Sequence, residues 1–234
     1  MVKSLAEDII RSRAEMAGAR ATVYDLLVGI FGHLPDEQFL ARIRGDDFNH
    51  ILDTLSYLKS ARCESGIGYL QSFQSAVESK AEEEVLDELS VDRTRILRGT
   101  GHPDLKPPYE GLYKTNRDVG QSLLEVKRFY RKAGILPEET IQEPPDYICI
   151  ELDFMKRLCL REQDQWESDE DVLDTISTEE VFLREHLGGW VCQFCQQVEK
   201  HALTDFYRGL ALILEAVVLS DMQYMGKLLQ TLKR

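Results

Sequence analysis

The sequence contains few basic residues for its length. Lys and Arg number 28 among 234 residues, against 41 Asp and Glu, which leaves a formal net charge of −13. A nucleic-acid-binding surface needs clustered Lys and Arg to neutralise phosphate groups, so the composition excludes nucleic acid as a partner. If charge attracts a partner to this chain, that partner is basic.

Long hydrophobic runs are also absent. No uninterrupted apolar run reaches the roughly 18 to 20 residues that a membrane-spanning helix requires. Residues 1–13 alternate charged with apolar side chains and do not form the apolar segment of a secretory signal. We therefore expect no stable membrane insertion and a cytoplasmic location.

Cysteines are few and odd in number, at positions 63, 149, 159, 192 and 195. Such a set does not resemble the disulfide framework of a small secreted domain, so free thiols are expected. Cys192 and Cys195 form a C-x-x-C pair, but matching zinc ligands and a βαβ pattern are both missing. On a helix the two side chains would point the same way, which favours ordinary packing residues.

Motifs of metal and nucleotide enzymes are missing as well. The sequence has no pair of Glu-x-x-His segments and no His-Glu-x-x-His, and only Asp47 and His50 place an acid three residues before a histidine. Phosphate-binding glycine loops and the Gly-x-Ser-x-Gly nucleophile turn do not occur. We therefore predict no metal site, no resident cofactor and no enzymatic activity.

Helical periodicity is present along nearly the whole chain. Apolar residues recur at spacings of three, four or eight in two long stripes, Ala17, Ala21, Tyr24, Leu27, Phe31 and Leu203, Tyr207, Leu210, Leu214, Val217, Met225, Leu228. The pattern predicts an all-α fold without significant β-sheet. Helices are expected near 3–32, 35–44, 47–59, 64–88, 91–97, 118–133, 145–163, 178–199 and 203–230.

A chain of this size, with 43% hydrophobic residues, can bury a sizeable core. We predict a single domain over residues 1–234. Residues 98–113 contain three glycines and three prolines, which predicts an ordered loop or a hinge over 98–117. An acidic run between Arg161 and Arg184 predicts a solvated loop or face.

Two helical segments combine an apolar face with polar residues. The first has the buried stripe Ile148, Leu152, Met155 and Cys159, with Glu151 and Asp153 on its flanks and Pro144, Pro145 and Asp146 in a predicted first turn. In the second, Phe182, His186, Trp190 and Phe194 recur every four residues around a Gly188-Gly189 pair. Carboxylates and an imidazole on apolar helices are either satisfied internally or used for binding.

An ordered set of motifs carries a resemblance to a known family. The segments P-P-D-Y-I-C-I-E-L-D-F-M-K-R-L (144–158) and F-L-R-E-H-L-G-G-W (182–190) are similar to the paired signature of the TorD/DmsD/NarJ family of redox-enzyme maturation chaperones. P-P-Y-E-G-L-Y (107–113), L-L-E-V-K-R-F-Y-R-K-A-G (123–134) and R-A-T-V-Y-D-L-L (20–27) resemble further family segments. Gly111 stands where the loop motif usually has Ser.

The resemblance implies an all-helical cytoplasmic chaperone without catalysis. Its expected partner is a molybdopterin oxidoreductase catalytic subunit, bound in many family members through a twin-arginine signal peptide. An acidic protein with aromatic side chains between helices complements both the arginine pair and the apolar part of such a peptide. The predicted client site has a polar part, Glu110, Glu151, Asp153 and His186, and an apolar part, Tyr109, Tyr113, Phe154 and Trp190.

Alternatives remain open at this point. Asp153 and His186 could instead pair with each other, or cap a helix, to hold the fold. The chain could be a helical protein that binds a nucleotide, a small molecule or the molybdenum cofactor, since the resemblance extends to weak guanine-nucleotide or transient molybdenum-cofactor contact. A helical hydrolase with an unrecognised site is a third hypothesis. The loop at 98–117 could allow helix exchange, so the chain is expected to be a monomer or a domain-swapped dimer.

Overall fold

The computed structural model describes residues 2–56, 58–114, 119–137 and 143–233, and most of them lie in helices. The α-helices are α1 (Val2–Gly32), α2 (Glu37–Arg44), α3 (Asp46–Ser56), α4 (Ala61–Val77), α5 (Glu82–Arg98), α6 (Glu110–Tyr113), α7 (Val119–Ala133), α8 (Ile148–Glu167), α9 (Leu173–Glu185), α10 (Val191–His201) and α11 (Asp205–Leu232). A 3₁₀ turn covers Leu187–Gly189. These ranges contain no strand, and an isolated bridge joins Tyr109 to Tyr147. The predicted all-α fold is confirmed.

The chain divides into two compact units. The first comprises Met1–Gly32, Tyr109–Gly189 and Asp221–Arg234, and the second comprises His33–Pro108 and Trp190–Ser220. Helix α11 therefore contributes its first part to the second unit and its last part to the first. A single domain over 1–234 stays a prediction, and so does the hinge, whose residues 115–117 lie outside the described residues.

The predicted apolar stripes are buried with one exception. The α1 and α8 stripes have almost no exposure, and α1 packs along α8 within the first unit. Each such aliphatic or aromatic side chain contributes about 1.5 to 3 kcal/mol through burial. Leu203 is the exception and is 61% exposed. Leu203 lies before the start of α11. That helix begins after Thr204, and the Thr204 hydroxyl accepts a hydrogen bond from Tyr207 N at 3.4 Å.

The predicted helices at 64–88 and 91–97 are wrong in their boundaries. Helix α4 ends at Val77, and α5 runs unbroken from Glu82 to Arg98. Arg44 donates to the carbonyl oxygens of Val77 and Lys80, both at 2.9 Å, and so satisfies backbone acceptors at the turn. Three glutamates at 82–84 favour a helix start there because they lie at the positive end of the helix dipole.

The predicted helix at 178–199 is also divided. Helix α9 ends at Glu185, a 3₁₀ turn follows, and α10 begins at Val191. Gly188 lies against the carbonyl of Leu183 and the side chain of Met222, where a Cβ would collide with both. Consequently Phe182 and His186 belong to the first unit and Trp190 to the second, so the predicted continuous face is wrong.

Helix α11 is long and apolar enough to cross a membrane by length and composition alone. However, 67% of its most apolar window is buried inside the structure. The core helix of a globular protein passes the same test, so this helix is weak evidence for a span. The absence of stable membrane insertion stays a prediction.

Candidate functional site

The short helix α6 is held by the segment that precedes α8. Glu110 N donates to Asp146 O at 2.9 Å, and Gly111 N donates to the Asp146 carboxylate at 3.2 Å. Tyr147 N donates to Pro144 O at 3.0 Å, so the paired prolines form a turn before α8. Asp146 was predicted in the first turn of that helix, but the helix begins at Ile148 and the carboxylate binds the α6 backbone instead.

A buried cluster of charged groups joins α6 to the end of α9. His186 Nδ1 lies 3.1 and 3.2 Å from the two carboxylate oxygens of Glu110, which has no exposed surface. Lys114 Nζ pairs with the same carboxylate and donates to Glu185 O. Burial alone would raise the pKa of Glu110, but the His186 hydrogen bond and the Lys114 ammonium lower it overall. The cluster therefore holds an ionised carboxylate inside the first unit.

Aromatic rings surround the imidazole of His186. The Phe182 ring stacks on it at 5.2 Å, and the Phe129 ring meets it edge-on at 5.1 Å. Phe154 lies 4.6 Å from Phe182 in the same cluster. Phe154 and the predicted site residue Tyr113 are both buried. A partner could contact these two side chains only after local repacking.

Tyr130 is a member of this site that the sequence-based prediction missed. Its hydroxyl donates to Pro145 O at 2.9 Å, and its ring lies 4.6 Å from Phe154. Burial and then the negative charges of Glu151, Glu110, Asp146 and Asp153 raise the pKa of this phenol well above its usual value. The phenol is therefore within the electrostatic influence of four carboxylates. The i,i+4 spacing of Val126 and Tyr130 was the available sequence signal.

Asp153 is the least buried of the predicted carboxylates. Its side chain is 12% exposed and accepts hydrogen bonds at 2.6 Å from Lys156 Nζ and Arg157 Nε. Lys156 also lies 3.3 Å from the exposed Asp25. By contrast, Glu151 has no exposed surface. The alternative that Asp153 pairs with His186 is wrong, because the carboxylate next to His186 belongs to Glu110.

The remaining predicted aromatic residues lie in different surroundings. Tyr109 is half-buried, donates from its hydroxyl to Glu143 at 2.8 Å and lies 5.2 Å from the Tyr147 ring. Trp190 is buried in the second unit, 6.2 Å from Phe194. The structure thus brings Tyr109, Glu110, Tyr113, Glu151, Asp153, Phe154 and His186 into one unit, and places Trp190 in the other.

The cysteine pair on α10 has the surroundings of packing residues. Cys192 is half-buried, Cys195 is buried, and both are free thiols. Burial, followed by the negative charge of Glu215, raises the pKa of both thiols. A raised pKa disfavours the thiolate that redox or metal chemistry needs.

The acidic run between Arg161 and Arg184 is not wholly a solvated face. Glu162 and Glu179 have no exposed surface, and the guanidinium of Arg20 pairs with both and with Asp221. Tyr24 donates to Asp221 at 2.6 Å. This buried ion cluster ties α1, α8, α9 and the end of α11 together within the first unit.

The polar groups of the candidate site are carboxylates, one imidazole and ammonium or guanidinium groups that already pair with one another. Such a set holds a loop in place and can exchange an internal cation for a cationic group of a partner. It contains the negative charge that a basic ligand requires. The geometry therefore favours binding over catalysis.

Comparison with known proteins identifies related sequences. The family model for the nitrate reductase delta subunit matches residues 60–196, more than half of the chain. A protein named chaperone protein TorD from Shewanella sp. (strain ANA-3) is 25% identical over 221 residues, which cover 91% of this chain and 96% of that protein. Proteins of the same name from Vibrio atlanticus (strain LGP32) and Vibrio cholerae serotype O1 are 24% and 22% identical, and cover 88% and 90% of this chain and 94% of each relative.

Proposed function

The chain belongs to the nitrate reductase delta subunit family and is a chaperone of redox-enzyme maturation rather than an enzyme; from this premise we propose that it binds the catalytic subunit of a molybdopterin oxidoreductase through a twin-arginine signal peptide. Family membership over most of the chain is the observation that carries this proposal. The proposed place of action is the cytoplasm, before the client is exported. A weak contact with guanine nucleotide or molybdenum cofactor stays a prediction.

We assign direct contact with the client to Asp153. Its carboxylate is held by Lys156 and Arg157, which lie three and four residues further along the same helix. The Lys156 and Arg157 side chains are 22% and 32% exposed, so water reaches both cations and weakens their attraction to Asp153. A client guanidinium that forms two parallel hydrogen bonds with Asp153 can therefore replace the internal cations at small cost.

The buried members of the site have a positioning role in this proposal. Glu110 and His186 hold α6 against the end of α9, and the half-buried Tyr109 directly precedes α6. Tyr113, Phe154 and Glu151 are buried in the same unit, and their proposed role is to maintain the shape of the site. Loss of a buried member should weaken binding through the fold, whereas loss of Asp153 should weaken binding without unfolding.

Calorimetric titration of a twin-arginine peptide into Asp153→Asn tests the assignment. We expect at least about tenfold weaker binding, since a hydrogen-bonded charge pair is worth ~1.5 to 3 kcal/mol, with an unchanged melting temperature. Removing the competing cation in Lys156→Met should strengthen binding. His186→Ala should lower both the melting temperature and the affinity.

Glu180→Gln supplies the matched control. Glu180 is 18% exposed and pairs with Arg184 at the same i,i+4 spacing, so this variant also loses one negative charge from a helical ion pair of the first unit. Its affinity should equal that of the parent chain. Full affinity in a folded Asp153→Asn variant would remove Asp153 from the client site. Failure of the parent chain to bind any molybdoenzyme precursor would refute the proposed partner itself.

A further inference from the structure

Two histidines and an aspartate of the second unit come together at the end of α10. Asp104 Oδ2 lies 3.8 Å from His102 Nδ1 and 3.4 Å from His201 Nε2, and the three ligand atoms are all within 4.8 Å of one another. Imidazole nitrogens and a carboxylate oxygen are the ligands that zinc and similar divalent transition metals prefer. We propose that His102, Asp104 and His201 form a binding site for a divalent transition-metal ion, with Zn²⁺ as the best-matched example.

Two of the ligand atoms already lie at a metal-binding distance, whereas His102 Nδ1 must move and give up the hydrogen bond that it accepts from Asp104 N at 3.1 Å. Zinc bonds to nitrogen and oxygen of about 2.0 to 2.2 Å place neighbouring ligands of a tetrahedral site ~3.3 Å apart. The separation of His201 Nε2 from Asp104 Oδ2, 3.4 Å, already fits. His102 must approach by about half an ångström. Its ring is stacked on His201 at 3.7 Å, so it must also rotate until its nitrogen faces the ion.

His201 Nε2 provides an independent indication of a ligand. Its contact with Asp104 Oδ2 is long, at 3.4 Å, and within the part of the chain that the structure describes this buried atom makes no short, well-directed hydrogen bond. A buried polar nitrogen without such a bond is costly, and a metal ion would satisfy it. The His201 side chain is only 11% exposed, whereas His102 and Asp104 are open to solvent, which gives an ion a path of entry.

The loop that carries two of the ligands is shaped independently of any ion. Gly99 and Gly101 have φ angles of 62° and 83°, which favour glycine. Leu105 is buried beside them, and Lys106 N donates to Gln197 Oε1 at 3.2 Å. Because the folded unit fixes this loop, the loss of entropy on metal binding is small.

Two cations lie close to the cluster and limit its affinity for a metal ion. Lys200 Nζ lies 3.5 Å from Asp104 and must leave when the ion binds. Arg95 approaches His201 O at 3.5 Å, but Asp92 balances its charge from 3.3 Å. The exposed Lys106 follows the ligand loop. The bound ion would join the loop after α5 to the last residue of α10, so it would stabilise the folded second unit by mass action.

Zinc titration of the full chain without an affinity tag tests the site. Calorimetry should give one bound Zn²⁺ per chain and a melting temperature that rises with zinc concentration. His102→Ala and His201→Ala should each bind zinc at least about tenfold more weakly, since even outer-shell partners of a metal contribute 10-fold or more. Asp104→Asn, which keeps the side-chain shape, should also bind more weakly.

Lys200→Ala and His50→Ala are the controls. The first removes the cation that competes for Asp104 and should bind zinc equally or more tightly, and the second removes an exposed histidine elsewhere in the unit and should change nothing. Cobalt substitution should give no thiolate-to-metal absorption band, because no cysteine is a ligand. The proposal is overturned if the parent chain gains no thermal stability from zinc, if the histidine variants bind zinc like the parent, or if the cobalt complex has a thiolate band. It does not depend on the identity of the client.

Discussion

Glu179 is buried and has three charged neighbours. Arg20 Nη1 and Nε donate to Glu162 and Asp221 at 2.5 Å, and Nη2 donates to Glu179. One guanidinium cannot balance three carboxylates, so one of them favours its neutral form. Burial, opposed by Arg20 and supported by Glu162 and Asp221, raises the pKa of Glu179 to about 8.

This raised pKa predicts a loss of stability as pH increases. The folded state holds a proton on Glu179 up to about pH 8, whereas an unfolded glutamate releases it near its ordinary value of 4.5. The free energy of unfolding therefore falls as pH rises from 4.5 towards 8, by an amount on the order of 4 kcal/mol. Glu179→Gln should remove this decline, as measured by urea denaturation at pH 5 and pH 8.

Glu180→Gln is the matched control for the pH experiment, because it changes the neighbouring glutamate in α9. That side chain is largely outside the ion cluster and pairs with Arg184. This variant should keep the pH dependence of the parent chain. If Glu179→Gln also keeps it, Glu179 does not hold the proton.

Residue-scale prediction from the sequence was partly successful for the candidate site. The motifs predicted seven residues that lie in one unit, including Glu110 and His186, which are in contact. The pairing itself could not be predicted, because the two residues are far apart in the chain and Asp153 was an equally reasonable partner for His186. His102 and His201 were missed for the same reason, since motif searches depend on short spacings.

At the scale of the elements, α4 and α11 approach each other closely through two glycines of the second unit. A Cβ at Gly66 would lie 2.8 Å from Gly209 O, and a Cβ at Gly209 would lie 2.7 Å from Gly66 O. Side chains other than hydrogen would force the two backbones apart. The periodic pattern gave no indication of this contact, because glycine carries no hydrophobic signal.

Gly66→Ala should destabilise the protein by about 2 kcal/mol, because the added methyl group overpacks a helix contact. Gly68→Ala is its matched control in the same helix, where a Cβ would meet nothing within 4 Å. That variant should be more stable than the parent chain by about 0.5 to 1 kcal/mol, through helix propensity alone. Thermal or chemical denaturation measures both. Equal effects of the two substitutions would mean that the close backbone approach is absent in solution.

Helix boundaries followed the sequence wherever a turn signal was strong. The Pro35-Asp36 pair predicted the start of α2, and the Asp36 carboxylate indeed accepts from Phe39 N at 2.8 Å. The break between α4 and α5 was missed because no glycine or proline marks residues 78–81. The break after α9 was missed because a helix can tolerate a pair of glycines. The feature that sets Gly188 apart is its close contact with Met222, which only the structure reveals.

At the scale of the whole molecule, the net charge of −13 should govern how quickly a basic client peptide binds. An excess of acidic groups attracts a twin-arginine peptide over a distance of about 30 Å at 10 mM salt, but only ~8 Å at 150 mM. We expect the association rate constant to fall by about tenfold between these salt concentrations. The dissociation rate constant should change less, because apolar contacts are not screened. Stopped-flow fluorescence with a labelled peptide measures both rates.

A peptide with both arginines replaced by glutamine separates this attraction from apolar binding. Its association should be slower at low salt and nearly independent of salt, because it lacks the two charges that the acidic protein attracts. Asp153→Asn should leave the salt dependence of the association of the twin-arginine peptide almost unchanged, because the protein loses only one of its excess negative charges. The same variant should raise the dissociation rate constant of the peptide, because a direct contact is removed. An identical salt dependence for the two peptides would show that the acidic composition serves solubility and not client capture.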